Sequence, residues 1–137
     1  MLGRNAKVDM IKGVPLFERC SKKNLAQVAS IADEIDLPEG KVLTREGRTG
    51  HEFFVLLEGT ADVTRNSKHI RTLGPGDFFG EIALVSRIPR TATVTTTSAA
   101  RALVISAQDF RSLVDHSPAV ALQVLEAVAE RLPTAIQ

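Results

Sequence analysis

The chain has 137 residues, 44% of them hydrophobic, which is enough to bury one core and too few for two ordinary domains. Its 17 basic and 16 acidic residues leave a net charge of +1, so no overall field selects nucleic acid, a membrane surface or an acidic partner, and any anion site must be local. Cys20 is the only cysteine, which excludes an internal disulfide; tryptophan and tyrosine are absent, and the longest apolar runs, such as Phe53–Leu57, are strand-sized rather than membrane-spanning. With no secretory signal at the N-terminus, the expected setting is the cytoplasm.

The first quarter has helical period. A short helix around Ala6–Lys12 is broken by Gly13-Val14-Pro15, and Leu25, Val28, Ala29 and Ala32 then share one face of a second helix, with Ser21 suited to its N-cap. Cys20 sits just before that cap, where a helix start would lower its pKa, but no histidine or second cysteine accompanies it. From Glu34 to Ile105 the texture becomes that of short strands: Ile35–Leu37, Lys41–Leu43, Phe53–Leu57, Ala61–Thr64, Ile70–Leu73, Thr91–Val94 and Ala102–Ile105. Turn signals separate them at Pro38-Glu39-Gly40, Glu46–Gly50, Glu58-Gly59, Asn66-Ser67 and Gly74–Asp77. Helical period returns at Ser106-x-x-Asp109, a capping-box spacing ahead of Phe110, Leu113 and Val114. Ser117 and Pro118 suit the N-cap and first position of a last helix, whose stripe of Ala121, Val124, Leu125, Val128 and Leu132 is expected to pack on the chain's own barrel before Pro133 ends it. The expected fold is mainly β with flanking helices: an antiparallel β-roll or jelly-roll barrel over about 34–105, preceded by N-terminal helices and followed by two helices over about 107–132, all in one domain spanning 1–137.

One stretch, Gly74 to Val94, departs from core patterning. After the turn at Gly74–Asp77, Glu81–Val85 is helix-compatible, and Pro89 stops any helix before Thr91 resumes a β-branched run. A single helical turn between two strands leaves its first N–H groups unpaired, which makes an anion site. Gly80 lets a ligand approach the backbone, and Arg90 can return a planar cationic fork to the same place, which suits a phosphate. Glu81 does not serve an anion; it fits a ligand that also offers hydroxyl donors, as a ribose does.

Phe79-Gly80-Glu81-Ile82-Ala83-Leu84, followed by Pro89-Arg90-Thr91-Ala92, resembles the phosphate-binding cassette of the cyclic nucleotide-binding domain family. That family includes the regulatory subunits of cyclic-AMP-dependent protein kinase, the catabolite activator protein and cyclic-nucleotide-gated channels. Its order of helix, eight-stranded β-roll and two helices fits this chain from about Pro15 to Leu132. The resemblance implies that Glu81 accepts the ribose 2′-hydroxyl and Arg90 pairs with the cyclic phosphate, with the N–H groups near Gly80, including Ile82 and Ala83, completing the cradle. It also implies that Val63, Ile70 and Leu73 line the base pocket. Thr91, directly after the arginine, is where relatives place a hydroxyl that contacts the exocyclic amino group of a syn guanine. Threonine there is associated with accepting cyclic GMP, which stays open, while cyclic AMP is still the favoured ligand for a compact single-domain protein.

Other chemistries fail on spacing. Gly74-x-Gly76 is followed by Phe79 where a dinucleotide fingerprint needs glycine, and Gly40-Lys41 lacks the upstream glycine and hydroxyl residue of a P-loop. His51, His69 and His116 are scattered without metal-ligand spacing, and no nucleophile–base pair stands out, so neither a cofactor, a metal nor catalysis is expected. Phe78 and Phe79 are expected to be packing residues. The functional expectation is a regulatory sensor whose ligand moves the C-terminal helices, acting on an unidentified effector protein or domain, with no direct nucleic-acid binding and no membrane contact. A homodimer through the C-terminal helix is left open, as are the sensor half of a transcription regulator or channel and a degenerate module that no longer binds nucleotide. The chain reaches Gln137 without a helix-turn-helix, so a stand-alone sensor or an excised domain is the expectation.

Overall fold

A computed structural model describes residues 4–14, 17–18, 20–80 and 89–130. They fall into a β unit, Ala32–Gln108, and a helical unit assembled from Met1–Ile31 and Asp109–Gln137.

The β unit holds eight strands in two antiparallel sheets of four. The first runs in the order β1 (Asp33–Leu37), β8 (Ala100–Ser106), β3 (Glu52–Glu58) and β6 (Phe78–Phe79). The second runs β2 (Val42–Thr44), β7 (Thr93–Thr96), β4 (Ala61–Arg65) and β5 (Lys68–Leu73). Among the described residues no ladder joins the two sheets, so the expected barrel is a β-roll of two sheets rather than a closed ring.

Side-chain alternation explains how they meet. On β3, Phe54 and Leu56 turn inward with Ala100 and Ala102 of β8, and join Ala61, Leu73 and Val94 of the second sheet in one buried cluster. The alternate residues of these strands, Phe53, Val55, Leu103 and Ile105, are also fully buried. The first sheet is thus covered on both faces, which is why Phe53–Leu57 reads as a continuous apolar run instead of an alternating one. The second sheet is covered on one face. Its outer strand β5 exposes every residue from Lys68 to Thr72 and buries only Leu73.

Two strands differ from the sequence expectation. β6 is only two residues long, too short to leave a periodic signal. Phe78 and Phe79 are both buried, Phe78 against the ring of Phe53 and Phe79 stacked on Phe54 at 4.9 Å between centroids, so both pack as expected. β7 forms at Thr93–Thr96 and not at Thr91–Val94, because residues 90–92 spend main-chain groups on the β2–β3 loop and on side chains at the ends of β2 and β4. At its far end Thr96 is tied instead: its hydroxyl donates to the Pro38 carbonyl at 2.6 Å and accepts the Lys41 N–H at 2.8 Å.

In the helical unit, α1 (Arg4–Lys12) packs against α2 (Lys22–Ile31). Ser21 is the N-cap of α2, its hydroxyl accepting the Asn24 N–H at 3.1 Å, and Leu25, Val28 and Ala29 form the buried face. Burial pushes the Cys20 thiol pKa up, the reverse of the lowering expected at a helix start. α3 (Ala107–His116) follows β8 directly, and α4 (Pro118–Glu130) begins at the expected proline. Ser117 contributes its main-chain carbonyl to α4, accepting from Ala121 at 3.1 Å; its buried hydroxyl has no hydrogen-bond partner among the described residues, so it does not cap through the side chain. Leu125 of the expected stripe is 64% exposed, and Leu122, outside the stripe, is exposed as well. Pro15, Leu132 and Pro133 lie outside the described residues, as do the side chains of Val124 and Val128. No described helix is long and apolar enough to cross a membrane.

Candidate functional site

Arg90 is fixed first by its backbone. Its N–H donates to the Arg48 carbonyl at 2.8 Å and its own carbonyl accepts from Gly47 at 2.8 Å, so the β2–β3 loop pairs with it like a short length of sheet. The next residues are held on both sides: the Arg65 Nε donates to the Thr91 carbonyl at 2.9 Å, and the Thr44 hydroxyl to that of Ala92 at 3.1 Å. The Arg90 side chain then turns inward and is only 8% exposed. Nη2 donates to the Glu52 carbonyl at 2.7 Å and Nη1 to the Gly80 carbonyl at 3.3 Å.

A buried guanidinium is tolerated only where its N–H groups find acceptors, and here main-chain carbonyls supply them. The arrangement holds a planar cationic fork at the point where the chain leaves β6 for the cassette. Gly80 is required there twice over. Its φ of +93° disfavours any residue with a side chain, and an added Cβ would lie 2.7 Å from both Arg90 Nη1 and the Glu52 carbonyl oxygen. A phosphate oxygen offers that fork a stronger, charge-assisted acceptor than a carbonyl does, so the residues present fit the cyclic phosphate that the cassette implies. Beside Arg90 lies a cleft of ≈ 600 Å³, walled by Arg45, Arg48 and Thr49 among others, of a size that suits a small molecule.

The expected site residues fall into three groups. Phe79, Gly80, Arg90, Thr91 and Ala92 come together around the fork: Phe79 ends β6, and Thr91 and Ala92 follow the arginine. Thr91 is exposed, and its hydroxyl makes no hydrogen bond within the described residues. Glu81, Ile82 and Ala83 lie outside the described residues. The three expected base-pocket residues differ in environment. Val63 is half-buried opposite Val94 and Arg71; Ile70 is 51% exposed at the bulge between the pairs Val63↔Arg71 and Thr64↔His69; Leu73, at 1%, belongs to the core between the sheets.

Sequence reasoning missed the loop that presents Arg90. Glu46–Gly50 reads only as a turn, yet Gly47 and Arg48 hold the arginine's backbone and Gly50 lies under its side chain. The signal was two glycines three residues apart in a loop otherwise charged and polar. Elsewhere, Arg101 sits among Glu34, Asp36 and Glu58, and its hydrogen bond to Asp36 is the first cause holding its pKa above the usual arginine value. The histidines stay apart: His69 pairs with Asp62 on the outer face of the second sheet, and the His116 Nδ1 lies 2.8 Å from the Ser112 carbonyl oxygen. Among the described residues no group of three or more histidine, cysteine or carboxylate side chains could hold a metal ion.

Comparison with known proteins places this geometry. A cyclic nucleotide-gated potassium channel of Rhizobium etli is 34% identical over 122 residues, covering 89% of this chain and 34% of the channel. A cAMP-dependent protein kinase regulatory subunit of Mycosarcoma maydis is 40% identical over 93 residues, 63% of this chain and 17% of that protein. The chain therefore spans well under two thirds of the curated relatives it matches. Among solved structures, the catabolite activator protein of Thermus thermophilus superposes with a TM-score of 0.81 at 25% identity, over 88% of this chain and 59% of that one. The family model for the cyclic nucleotide-binding domain matches residues 34–117, which takes in β1 from Glu34 onward, all of β2 to β8, Arg90 and α3. With the two-sheet roll and the cassette arginine both in place, the chain belongs to the cyclic nucleotide-binding domain family.

Proposed function

We propose that this domain is a non-catalytic sensor that binds cyclic AMP, with cyclic GMP as the alternative ligand, and reports occupancy through its C-terminal helices. The observation that carries the reading is the Arg90 fork, held by the Gly80 and Glu52 carbonyls at the mouth of the cassette. Arg90 takes the cyclic phosphate, with the N–H groups of Gly80, Ile82 and Ala83 completing its cradle, and Glu81 accepts the ribose 2′-hydroxyl. Val63 and the exposed Ile70 meet the base, while Leu73 backs the pocket from the core. Identity with a cAMP-dependent regulatory subunit supports cyclic AMP, and the exposed Thr91 supports cyclic GMP as the alternative. The reading takes 1–137 as a single domain, in the cytoplasm, with an effector domain or protein as its output.

Signalling follows from the carbonyl that Arg90 already holds. A phosphate that draws the guanidinium away from Gly80 alters the chain at the start of the cassette, and a ligand shifts a conformational equilibrium only by such differential contacts. Calorimetry and thermal melts with cyclic AMP, cyclic GMP and 5′-AMP test this on wild type, Arg90→Ala and Thr91→Ala. The preferred cyclic nucleotide stabilises wild type by about 2.7 kcal/mol at a hundredfold excess over Kd. Arg90→Ala removes most of that gain, and Thr91→Ala weakens cyclic GMP more than cyclic AMP. A wild type that neither cyclic nucleotide stabilises overturns the reading in favour of a degenerate module, and hydrolysis of cyclic AMP would overturn the absence of catalysis.

A further inference from the structure

We infer that Gly50 is a positioning residue for Arg90: the anion-reading arginine reaches its two carbonyls because position 50 carries no side chain. The ligand half of this inference rests on the proposed role of Arg90 in phosphate binding; the packing half does not.

Gly50 differs in kind from the glycines around it. Gly47 and Gly80 have φ of +81° and +93°, so their own backbones favour glycine. Gly50 is not among the residues with positive φ, and its backbone alone would accept alanine. What excludes alanine is the neighbour. An added Cβ would stand 1.7 Å from Arg90 Nε, 2.1 Å from Cζ and 2.5 Å from Nη2, all far inside any real contact distance.

Such an overlap is cheap when the neighbour can swing aside, and here it cannot do so and keep its partners. The Arg90 main chain is pinned to Arg48 and Gly47, and the far end of the side chain is pinned to Glu52 and Gly80. The guanidinium lies between these two anchors with Gly50 as its floor. A methyl group at position 50 therefore evicts the guanidinium from both carbonyls, or moves the loop away from Arg90. Either outcome displaces the fork from the cassette mouth, and Arg90 stays in the protein but reads the phosphate from the wrong place.

A double-mutant cycle with Arg90→Ala separates this from a general defect of the loop. In the wild-type background, Gly50→Ala should lower the melting temperature and weaken the preferred cyclic nucleotide by about 10- to 100-fold, the range for misplaced hydrogen bonds to a charged group. In the Arg90→Ala background the methyl has room, and Gly50→Ala should leave the melting temperature unchanged or raise it, because alanine restricts the unfolded chain more than glycine does. That reversal of sign is the expected result. Equal loss of stability in both backgrounds overturns the inference, as does a Gly50→Ala protein that keeps wild-type affinity and melting temperature. If wild type binds no cyclic nucleotide, the proposed function fails with the ligand half, and the melting-temperature cycle still decides whether Gly50 positions Arg90.

Discussion

The two sheets of the roll solve different problems with the same strand geometry. The first is apolar on both faces through β3 and β8, with Phe53, Val55, Leu56, Ala102, Leu103 and Ile105 all at 0% exposure. The second is a threonine-rich sheet with one covered face, and residues 90–92 are held by the β2–β3 loop and by side chains at the ends of its strands β2 and β4. Stability is concentrated where side chains interdigitate, and the proposed ligand chemistry falls where main-chain groups and hydroxyls are left to be arranged. Arg90 stands at the junction: it enters β7 of the second sheet, and its guanidinium ends on a carbonyl of β3 in the first.

That division can be broken from either side. Leu56→Ala, at the centre of the inter-sheet cluster, should cost about 2–5 kcal/mol in urea unfolding and leave the preference between cyclic AMP and cyclic GMP as it was. A change in preference would mean that the first sheet does more than support. Thr96→Val keeps the shape of a buried side chain and strands both the Lys41 N–H and the Pro38 carbonyl; a loss of about 1–3 kcal/mol is expected, again by urea unfolding. A neutral result would show that the second sheet is not secured by its hydroxyls. Ile70→Thr, at an exposed edge position, should change stability by no more than about 0.5 kcal/mol, while calorimetry finds weaker cyclic nucleotide binding. Unchanged affinity would remove Ile70 from the base pocket.

Much of this was legible in the sequence, and the exceptions have a common cause. Period and turn chemistry located seven of the strands and the order of helices, and Ser21 announced a cap that forms. The cassette was recognisable by its resemblance to a known family over about ten positions between Phe79 and Ala92, and not by any one residue of it. The register of β7 was not legible. Thr91–Val94 is largely β-branched and Thr93–Thr96 wholly so, and the strand starts after Ala92 because Arg48, Thr44 and Arg65, remote in sequence, hold residues 90–92. Gly50 was hidden for the same reason: its own backbone does not ask for glycine, and its neighbour across the loop is 40 residues away. The two-residue β6 exists because Phe78 and Phe79 pair with β3, a tertiary fact with no local period. The three base-pocket candidates looked alike as apolar strand residues, yet Ile70 and Leu73 lie an odd number of residues apart on β5, where alternation alone sets them on different faces, one exposed and one buried.

The outer strand β5 also bears on how copies of this domain behave at high concentration. A sheet that ends in an exposed strand invites another chain to continue it, and Ile70 would be the apolar seed for that growth. Lys68 and Arg71 flank the seed on the same short strand, with Arg65 on the strand beside it. Two such edges brought together confront cation with cation before the backbone can pair, so head-on polymerisation of the roll is opposed by the same residues that frame its open edge.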